Sequence, residues 1–533
     1  MAGLGVTEAT GHARMAWERS RRSLLAVSSG LLCAAAFPPW DVGPLAFVGL
    51  APLLVAVGEV SPQRAAGLGY VSGLSFYLAA IWWVINTMTT FGGMSLALSL
   101  IALGLLAGVL AGYTGVFSWV YALGAPSLPP ALRPAAAAVL WIAFEFLRSV
   151  LFSGFPWVLL GYTQYQQPGL RLLAALTGVY GISAVLVLVN ATVAETVGWW
   201  TRRAAGTVRP RDLVLAWGLG VVTLAGAWGY GAVWWRDLTG GPAVGVGLLQ
   251  GNIDQAIKWD RAHQARTLDT YERLARQAAK TRPSLIVWPE TAVPFFLRRE
   301  PELGAQVRSV AVATGVPMLV GSPDLGADGL LYNSAFLIDR DGRLAGRYDK
   351  RHLVPFGEYV PLQRVFFFLN KLVTGIGDFG RGQTATVFAD GFGRFSVMIC
   401  YEVIFPGEVR EFTQAGAQLL VNITNDAWFG RSGAPYQHLA MAAIRAVENG
   451  SYLIRAANTG VTAIIAPTGE ILRQTPIFTE AVLTGTVRLR QGHTPYARYG
   501  DVVAWGSLVF LVPYGLIVWR ARRRGGVLTA PVG

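Results

Sequence analysis

Two architectures are expected in one chain: a polytopic α-helical membrane bundle plus an α/β domain, the latter inserted between the seventh and eighth transmembrane helices. Three observations predict this. Of 533 residues, 53% are hydrophobic and only 14% charged, with a mean hydropathy of +0.43, about half the charge of an average soluble domain, which excludes a purely soluble protein. Several stretches approach or exceed the roughly 20 apolar residues that cross a bilayer; they lie before Asp237, with one more after Asp501. Between these, from Arg236 to Tyr499, charge density is ordinary and short β-branched runs alternate with helical segments.

Eight apolar spans are expected, at Leu24–Phe37, Val42–Val57, Gly67–Asn86, Met94–Leu123, Pro134–Phe152, Gly169–Thr196, Leu213–Trp228 and Val502–Trp519. The first two are short and interrupted by Pro38, Pro39 and Pro44, which suits a tight helical hairpin better than two ideal spans. Chain organisation follows: a membrane domain over 1–229 with about seven helices, an extracytoplasmic domain over 230–500, and a last helix with a basic tail over 501–533. Glu145 and Arg148, at i and i+3 on the fifth span, are expected to form an intramembrane pair facing the bundle interior.

The formal charge of +13 raises nucleic acid as a partner, and the location of that charge removes it. From Arg236 to Asp501 there are 28 Lys+Arg against 24 Asp+Glu, whereas the membrane portions hold 16 against 7. The excess therefore sits in short loops and tails, as membrane topology requires, and no nucleic-acid partner is expected. Arg14, Arg19, Arg21 and Arg22 precede the first span; Arg64, Arg133, Arg202, Arg203, Arg209 and Arg211 lie in even-numbered loops; Arg520, Arg522, Arg523 and Arg524 follow the last span. An even number of helices puts all of these on one side, the cytoplasmic one, with both termini. Arg171 is the exception. The large domain then faces outward, periplasmic or external in a bacterial plasma (inner) membrane, and the leading apolar segment is expected to be a retained anchor.

Cysteine is scarce: Cys33 lies in the first span and Cys400 deep in the outer domain, too far apart for a disulfide to be plausible. A lone thiol in an oxidising compartment invites a search for a role, although free Cys is also among the most commonly buried residues. The outer domain has candidate strands at Val244–Leu249, Leu285–Trp288, Met318–Gly321, Ser334–Ile338, Ser396–Ile399, Leu419–Ile423 and Ala463–Ala466, with amphipathic segments such as Ala262–Lys280 and His438–Glu448. SLIVWPE ends in Glu290, FSVMIC in Cys400, and the turn after GRYD delivers Lys350. Reactive residues at strand ends suit an α/β site.

A Cys, a Glu and a Lys together make sense as an acyl-transfer site: a thiolate nucleophile, a carboxylate to take its proton, an ammonium to stabilise the oxyanion. Each has an ordinary alternative. Glu290 fits a helix N-terminal carboxylate in PETAVP, and Lys350 a solvated surface charge. Against the latter, the chain uses 40 Arg and only 4 Lys, so lysine is not its default cation.

WPET at Trp288–Thr291, YDKRHLVPFGEYVP at Tyr348–Pro361 and ICYEVIFPGEVR at Ile399–Arg410 resemble the three catalytic blocks of the nitrilase superfamily. NITNDAWFGRSGAPYQHLAMAAIRAVENG, GNIDQAIKW at Gly251–Trp259, LRSVLFSGFPW before the sixth span and the flanking helices extend that likeness to the apolipoprotein N-acyltransferase family over essentially the whole chain. Thr424, where many relatives have Ser, and Ala434, where Gly is commoner, depart from the pattern outside the triad.

The resemblance implies a nitrilase-like α-β-β-α sandwich with Glu290 as general base, Lys350 as oxyanion stabiliser and Cys400 as acyl-carrying nucleophile. It further implies Glu358 as an auxiliary carboxylate, Tyr401 and Glu402 as shapers of the nucleophile turn, and Trp259 as a substrate-proximal aromatic; for Trp259 a place in the interfacial belt stays equally open. The implied reaction passes an acyl chain from a membrane phospholipid, through a Cys400 thioester, to the N-terminal amine of a diacylglyceryl-cysteine on a lipoprotein, with no cofactor and the chain acting as a monomer. No metal is implied, since the five His show no ligand spacing, and His438 is expected to be a structural hydrogen-bonding residue.

Two alternatives remain open in the sequence: a membrane-anchored amidase using water as acceptor, and a transporter or receptor with an outer binding domain. The segment Val365–Gly380 is too apolar for an ordinary exposed loop, and an interfacial lid and a loop packed in the core are both compatible with it.

Overall fold

The computed structural model describes residues 3–202, 210–238, 240–359 and 379–523. Arg203, Arg209, Arg524 and all but the last two residues of Val365–Gly380 lie outside them.

The α/β domain is built on two six-stranded sheets. Strands β1 (Ala243–Gln250), β2 (Leu285–Val287), β3 (Met318–Leu325), β4 (Leu331–Ile338) and β5 (Leu344–Asp349) belong to the first; β6 (Phe388–Asp390), β7 (Gly393–Ile399), β8 (Leu419–Thr424), β9 (Leu453–Ala457), β10 (Ala463–Ile465) and β11 (Ile471–Gln474) form the second; β12 (Ala481–Arg488) returns to the first. The orders are β12-β1-β2-β3-β4-β5 and β11-β10-β9-β8-β7-β6. Parallel pairing is confined to β1-β2-β3 and β7-β8-β9, flanked by antiparallel edges.

Side-chain alternation with period two produces the layers. In β2, β3 and β4, Leu285, Val287, Leu319, Ala335 and Leu337 join the core between the sheets, while Ile286, Met318, Val320, Phe336 and Ile338 form a second cluster. That second cluster is closed by Leu268, Tyr271 and Leu274 of the helix Arg261–Ala279 and by Val307 and Val310 of the helix Pro301–Thr314. Helices Pro406–Gln414 and Ala434–Asn449 accompany the second sheet. Every strand expected from hydropathy is present. Strands β5, β6, β9, β11 and β12 carry no comparable apolar run: β5 and β12 are edge strands of mixed polarity, and β9 holds the wholly buried Arg455.

Among the described residues, four helices are long and apolar enough to cross a bilayer, Leu96–Ser127, Pro130–Ser153, Val179–Thr201 and Val502–Arg523. The exposed apolar rows Leu98, Ile101, Leu105 and Val109, and Val502, Trp505, Val509 and Val512, are the lipid-facing sides expected of such helices. The third expected span is not straight: Pro62–Ala80 and Val84–Phe91 are bent by 58° at a break. The expected sixth span begins late, because two short turns, Pro168–Arg171 and Ala174–Thr177, end at Gly178 with φ +68 before the helix Val179–Arg202 starts. The first two spans form a hairpin, with a long helix to Ala35, a turn at Pro38–Pro39, and the short apolar Gly43–Val57. The helix Pro210–Leu238 runs past residue 229, and β1 begins at Ala243.

The Glu145–Arg148 pair is corrected. Both side chains are buried, but each binds backbone: Glu145 Oε1 accepts from Leu160 N at 2.8 Å, and Arg148 Nη1 donates to the carbonyls of Phe155 (2.9 Å) and Trp157 (2.7 Å). The irregular segment FPWVLLGY leaves peptide groups without helical partners inside the bundle, and those groups need the two charges more than the charges need each other.

The helix Ala434–Asn449 ties the two parts together. Gln437, fully buried, accepts from Trp83 Nε1 (3.1 Å) and Trp157 Nε1 (2.7 Å) and donates to Pro38 O (2.8 Å) and Ala80 O (3.0 Å), the latter a carbonyl freed by the break in the third span. Eleven residues on, Glu448 Oε1 accepts from Val179 N at 2.9 Å, at the positive end of a membrane helix, while pairing with Arg445 at 2.9 Å. Gln437→Leu removes all four hydrogen bonds and orphans four buried groups at about 1–3 kcal/mol each. A thermal melt of the purified protein should fall far below that of the parent, and Gln437→Glu, which keeps two acceptors, should fall between them.

Candidate active site

Glu290 leaves β2 after two residues, Lys350 follows β5 immediately and Cys400 follows β7, so three strand ends deliver the three expected residues to one place. Lys350 is 1% exposed, with its Nζ 2.9 Å from Glu358 Oε1 and 3.7 Å from Glu290 Oε1. The surface-charge alternative for Lys350 is thereby removed. Burial works against its charge, but Glu358 and Glu290 outweigh burial and hold its pKa above the ordinary lysine value, so it stays an ammonium at every working pH.

Glu290 is also buried, and no helix follows it; the peptide instead turns through Thr291 at φ +45. Its Oε1 accepts from Asn333 Nδ2 at 2.8 Å, and the same amide reaches Glu358 Oε1 at 3.1 Å. Its Oε2 has no hydrogen-bond partner among the described residues, leaving that oxygen free to take a proton. Glu358 is fixed from behind by Val354 N–H on Oε2 at 2.8 Å.

Cys400 occupies the left-handed region at φ +53, a conformation a non-glycine residue keeps only when its surroundings enforce it. Enforcement comes from two sides. His438 Nε2 lies 3.2 Å from the Cys400 carbonyl, to which the neutral ring donates, and the ring is fully buried beside Asp426 and Arg455. Glu402 accepts from Ile399 N at 2.7 Å on one oxygen and from Tyr348 Oη (2.7 Å) and Arg351 N (2.6 Å) on the other, pinning the Cys400 turn to the lysine loop. Burial pushes Glu402 up to about 7 against the pull of these donors. Tyr401 packs its ring on His352 and Phe405, with centroids 5.8 and 5.1 Å apart.

Burial raises the Cys400 thiol well above the ordinary cysteine pKa, Glu290 raises it further, and Lys350 opposes both. The resting group is therefore the thiol, and a nucleophilic role for it would require a base in the same step. Trp259 is 37% exposed and follows Lys258, whose Nζ reaches Glu290 O at 3.2 Å, so it lies one residue from the site's wall.

Asn333 and Lys258 were missed in the sequence. Asn333 interrupts the apolar run of LYNSAFLI in β4, and a polar residue on a buried strand is the signal that marks it. Lys258 is one of only four lysines, so the scarcity that singled out Lys350 applied to it equally. Cys33 and Cys400 are both buried, unpaired thiols.

Two family models match the chain: carbon-nitrogen hydrolase over residues 245–493 and the apolipoprotein N-acyltransferase N-terminal domain over residues 29–192. The apolipoprotein N-acyltransferase of Geobacter metallireducens is 43% identical over 506 residues, covering 94% of this chain and 96% of that one. That of Methylococcus capsulatus is 38% identical over the same shares. Among solved structures, Saccharomyces cerevisiae Nit3, a member of branch 10 of the nitrilase superfamily, is similar at 18% identity and TM-score 0.37, covering 46% of this chain and 90% of that one.

Proposed function

Because this chain belongs to the apolipoprotein N-acyltransferase family, we propose that it transfers a fatty acyl chain from a membrane phospholipid to the N-terminal amine of a diacylglyceryl-cysteine on a lipoprotein, through a thioester on Cys400. It is an integral membrane acyltransferase with a carbon-nitrogen hydrolase fold. One observation carries the proposal: adjacent residues on one helix join nucleophile to bundle, Gln437 binding four groups of the membrane part and His438 holding the Cys400 carbonyl. A site so fixed to the bilayer suits two lipid substrates better than a soluble amide.

In the first half-reaction Glu290 Oε2 takes the thiol proton as Sγ attacks the ester carbonyl, and Lys350 Nζ stabilises the oxyanion. The tetrahedral intermediate collapses with the C–O bond breaking, and Glu290 returns its proton to the lysophospholipid oxygen. In the second, the neutral α-amine attacks the thioester; its pKa near 8 leaves a useful fraction neutral at pH 7. Glu290 takes the amine proton, the C–S bond breaks, and the proton passes to the departing sulfur. Asn333 and Glu358 keep the Glu290 and Lys350 head groups in place throughout. Tyr401 and Glu402 shape the turn, and the half-exposed Trp259 stands where an entering lipid would meet it.

The finer topology belongs to the same proposal: seven spans before the catalytic domain and one after it, domains at 1–229, 230–500 and 501–533, catalysis on the periplasmic or external face, both termini cytoplasmic, the enzyme a monomer. Its support is the distribution of arginines among the short loops. With Cys33→Ala and Cys400→Ala removing native thiols, a cysteine at exposed Ala327 should react with an impermeant maleimide on intact spheroplasts, and one at exposed Gln63 only after lysis. The reverse pattern would invert the protein. The function itself is tested by supplying purified enzyme in phospholipid vesicles with a diacylglyceryl-cysteine peptide: N-acyl peptide and lysophospholipid should form together, and peptide consumption without lysophospholipid would exclude the proposed donor.

A further inference from the structure

Lys258 has no part in the steps above, yet it is among the most deeply buried charged groups of the α/β domain, 2% exposed, and among the described residues its three N–H groups have one acceptor, the Glu290 carbonyl at 3.2 Å. An ammonium held this way carries a large desolvation cost that one carbonyl does not offset. Its segment is nonetheless fixed firmly in place. Ile253 exchanges two hydrogen bonds with the side chain of Asn458, at 2.9 and 2.8 Å, Gln255 Oε1 accepts from Asn425 Nδ2 at 2.7 Å, and Asp260 caps the following helix at Ala262 N, 2.9 Å. Four anchors thus deliver a lysine in a chain that has only four of them.

We propose that Lys258 is a positioning residue of this site, its ammonium holding the strand-end carbonyl of Glu290 and setting the electrostatic potential at the Cys400 thiol. The inference rests on the assignment of Glu290 and Cys400 as base and nucleophile. Two lysines then divide the work. Lys350, clamped by two carboxylates, is a permanent charge for the oxyanion. Among the described residues Lys258 has no carboxylate bonded to its Nζ, and burial lowers it to about 8 although Glu290 and Cys400 pull it upward. Among the described residues those two groups are the titratable neighbours that face it from other elements; on its own segment Asp254 is turned to Ala256 N and Asp260 to Ala262 N and His263. A charge that disappears near pH 8 should be read directly by the sulfur. Below that pH the ammonium favours the thiolate, and above it the thiol becomes harder to ionise.

The test is the rate of Cys400 alkylation by iodoacetamide against pH, in the full-length Cys33→Ala protein in detergent. With Lys258 intact, log rate should climb with pH, flatten near pH 8 as Lys258 loses its proton, and climb again. In Lys258→Gln, which keeps a donor without the charge, the break should vanish, with rates about tenfold lower at pH 7, the equivalent of about one pH unit in thiol ionisation, and converging with the parent above the break. In Lys258→Arg, charged throughout, the break should vanish while the rate above pH 8 exceeds that of the parent. A parent profile without a break, or the same break in either variant, overturns the inference; if Lys258→Gln does not fold, the parent and Lys258→Arg profiles decide. Alkylated parent protein is assayed for acyl transfer in parallel. Full retained activity there would sink the thioester mechanism independently of any break.

Discussion

Cys400→Ser should form no acyl-enzyme and transfer no acyl chain, with a loss on the order of 10⁶-fold in kcat, the scale on which a covalent nucleophile and its base act as one unit. Burial already holds the Cys400 thiol protonated well above its ordinary range. A serine hydroxyl in the same dry turn is far harder to ionise than a thiol. Cys400 is nearly the size of serine and its turn is held through backbone groups, by His438 at the carbonyl and Glu402 at Ile399 N. The melt of Cys400→Ser should therefore stay close to the parent's, which separates lost chemistry from lost fold. Near-normal turnover by the Cys400→Ser enzyme would remove sulfur from the mechanism.

Lys350→Arg should fail nearly as completely, by about 10²- to 10³-fold or more, the cost of a displaced oxyanion donor. The slot around Nζ is 1% exposed and fitted to a point charge between Glu358 and Glu290. A planar guanidinium would satisfy one carboxylate bidentately and move its charge away from the carbonyl oxygen. Glu290→Gln is the cleaner companion, because the amide oxygen still accepts from Asn333 Nδ2 and Glu358, the closer carboxylate, still pairs Lys350 when the Glu290 charge and its proton acceptor are lost. It should lower acylation by about 10²- to 10⁴-fold, with the protein still folded and Glu358 still paired with Lys350. Near-normal single-turnover acylation by Lys350→Arg would leave Lys350 a structural ion-pair partner and no more.

What the sequence disclosed follows physical lines. WPET, YDKRH and ICYE each sit at the end of a strand, so strand periodicity and the reactive residue were legible together, and Glu290, Lys350 and Cys400 converge as expected. Edge strands such as β11 and β12 escaped notice because all but one of their twelve residues are exposed or half-buried, so no apolar face marks them. Glu145 and Arg148 misled for a different reason. Spacing at i and i+3 predicts that two charges can meet, yet it carries no information about the unsatisfied peptide groups of FPWVLLGY that claim them. Gln437 was hidden by its ordinariness: it is one amide in a helix, and its four partners come from three separate stretches of the membrane part. Long-range hydrogen bonding of this kind leaves no local pattern to read.

The central claim is that a fatty acyl chain rests on Cys400 between donor and acceptor. The most direct measurement is mass spectrometry of the purified enzyme after incubation with phospholipid alone, followed by digestion and hydroxylamine treatment. One fatty acyl mass should appear on the peptide containing Cys400, disappear with hydroxylamine, and disappear equally when a diacylglyceryl-cysteine peptide is added, with the acyl group recovered on that peptide's amine. An active preparation that carries no acyl group on Cys400, or carries it on another residue, would contradict the account.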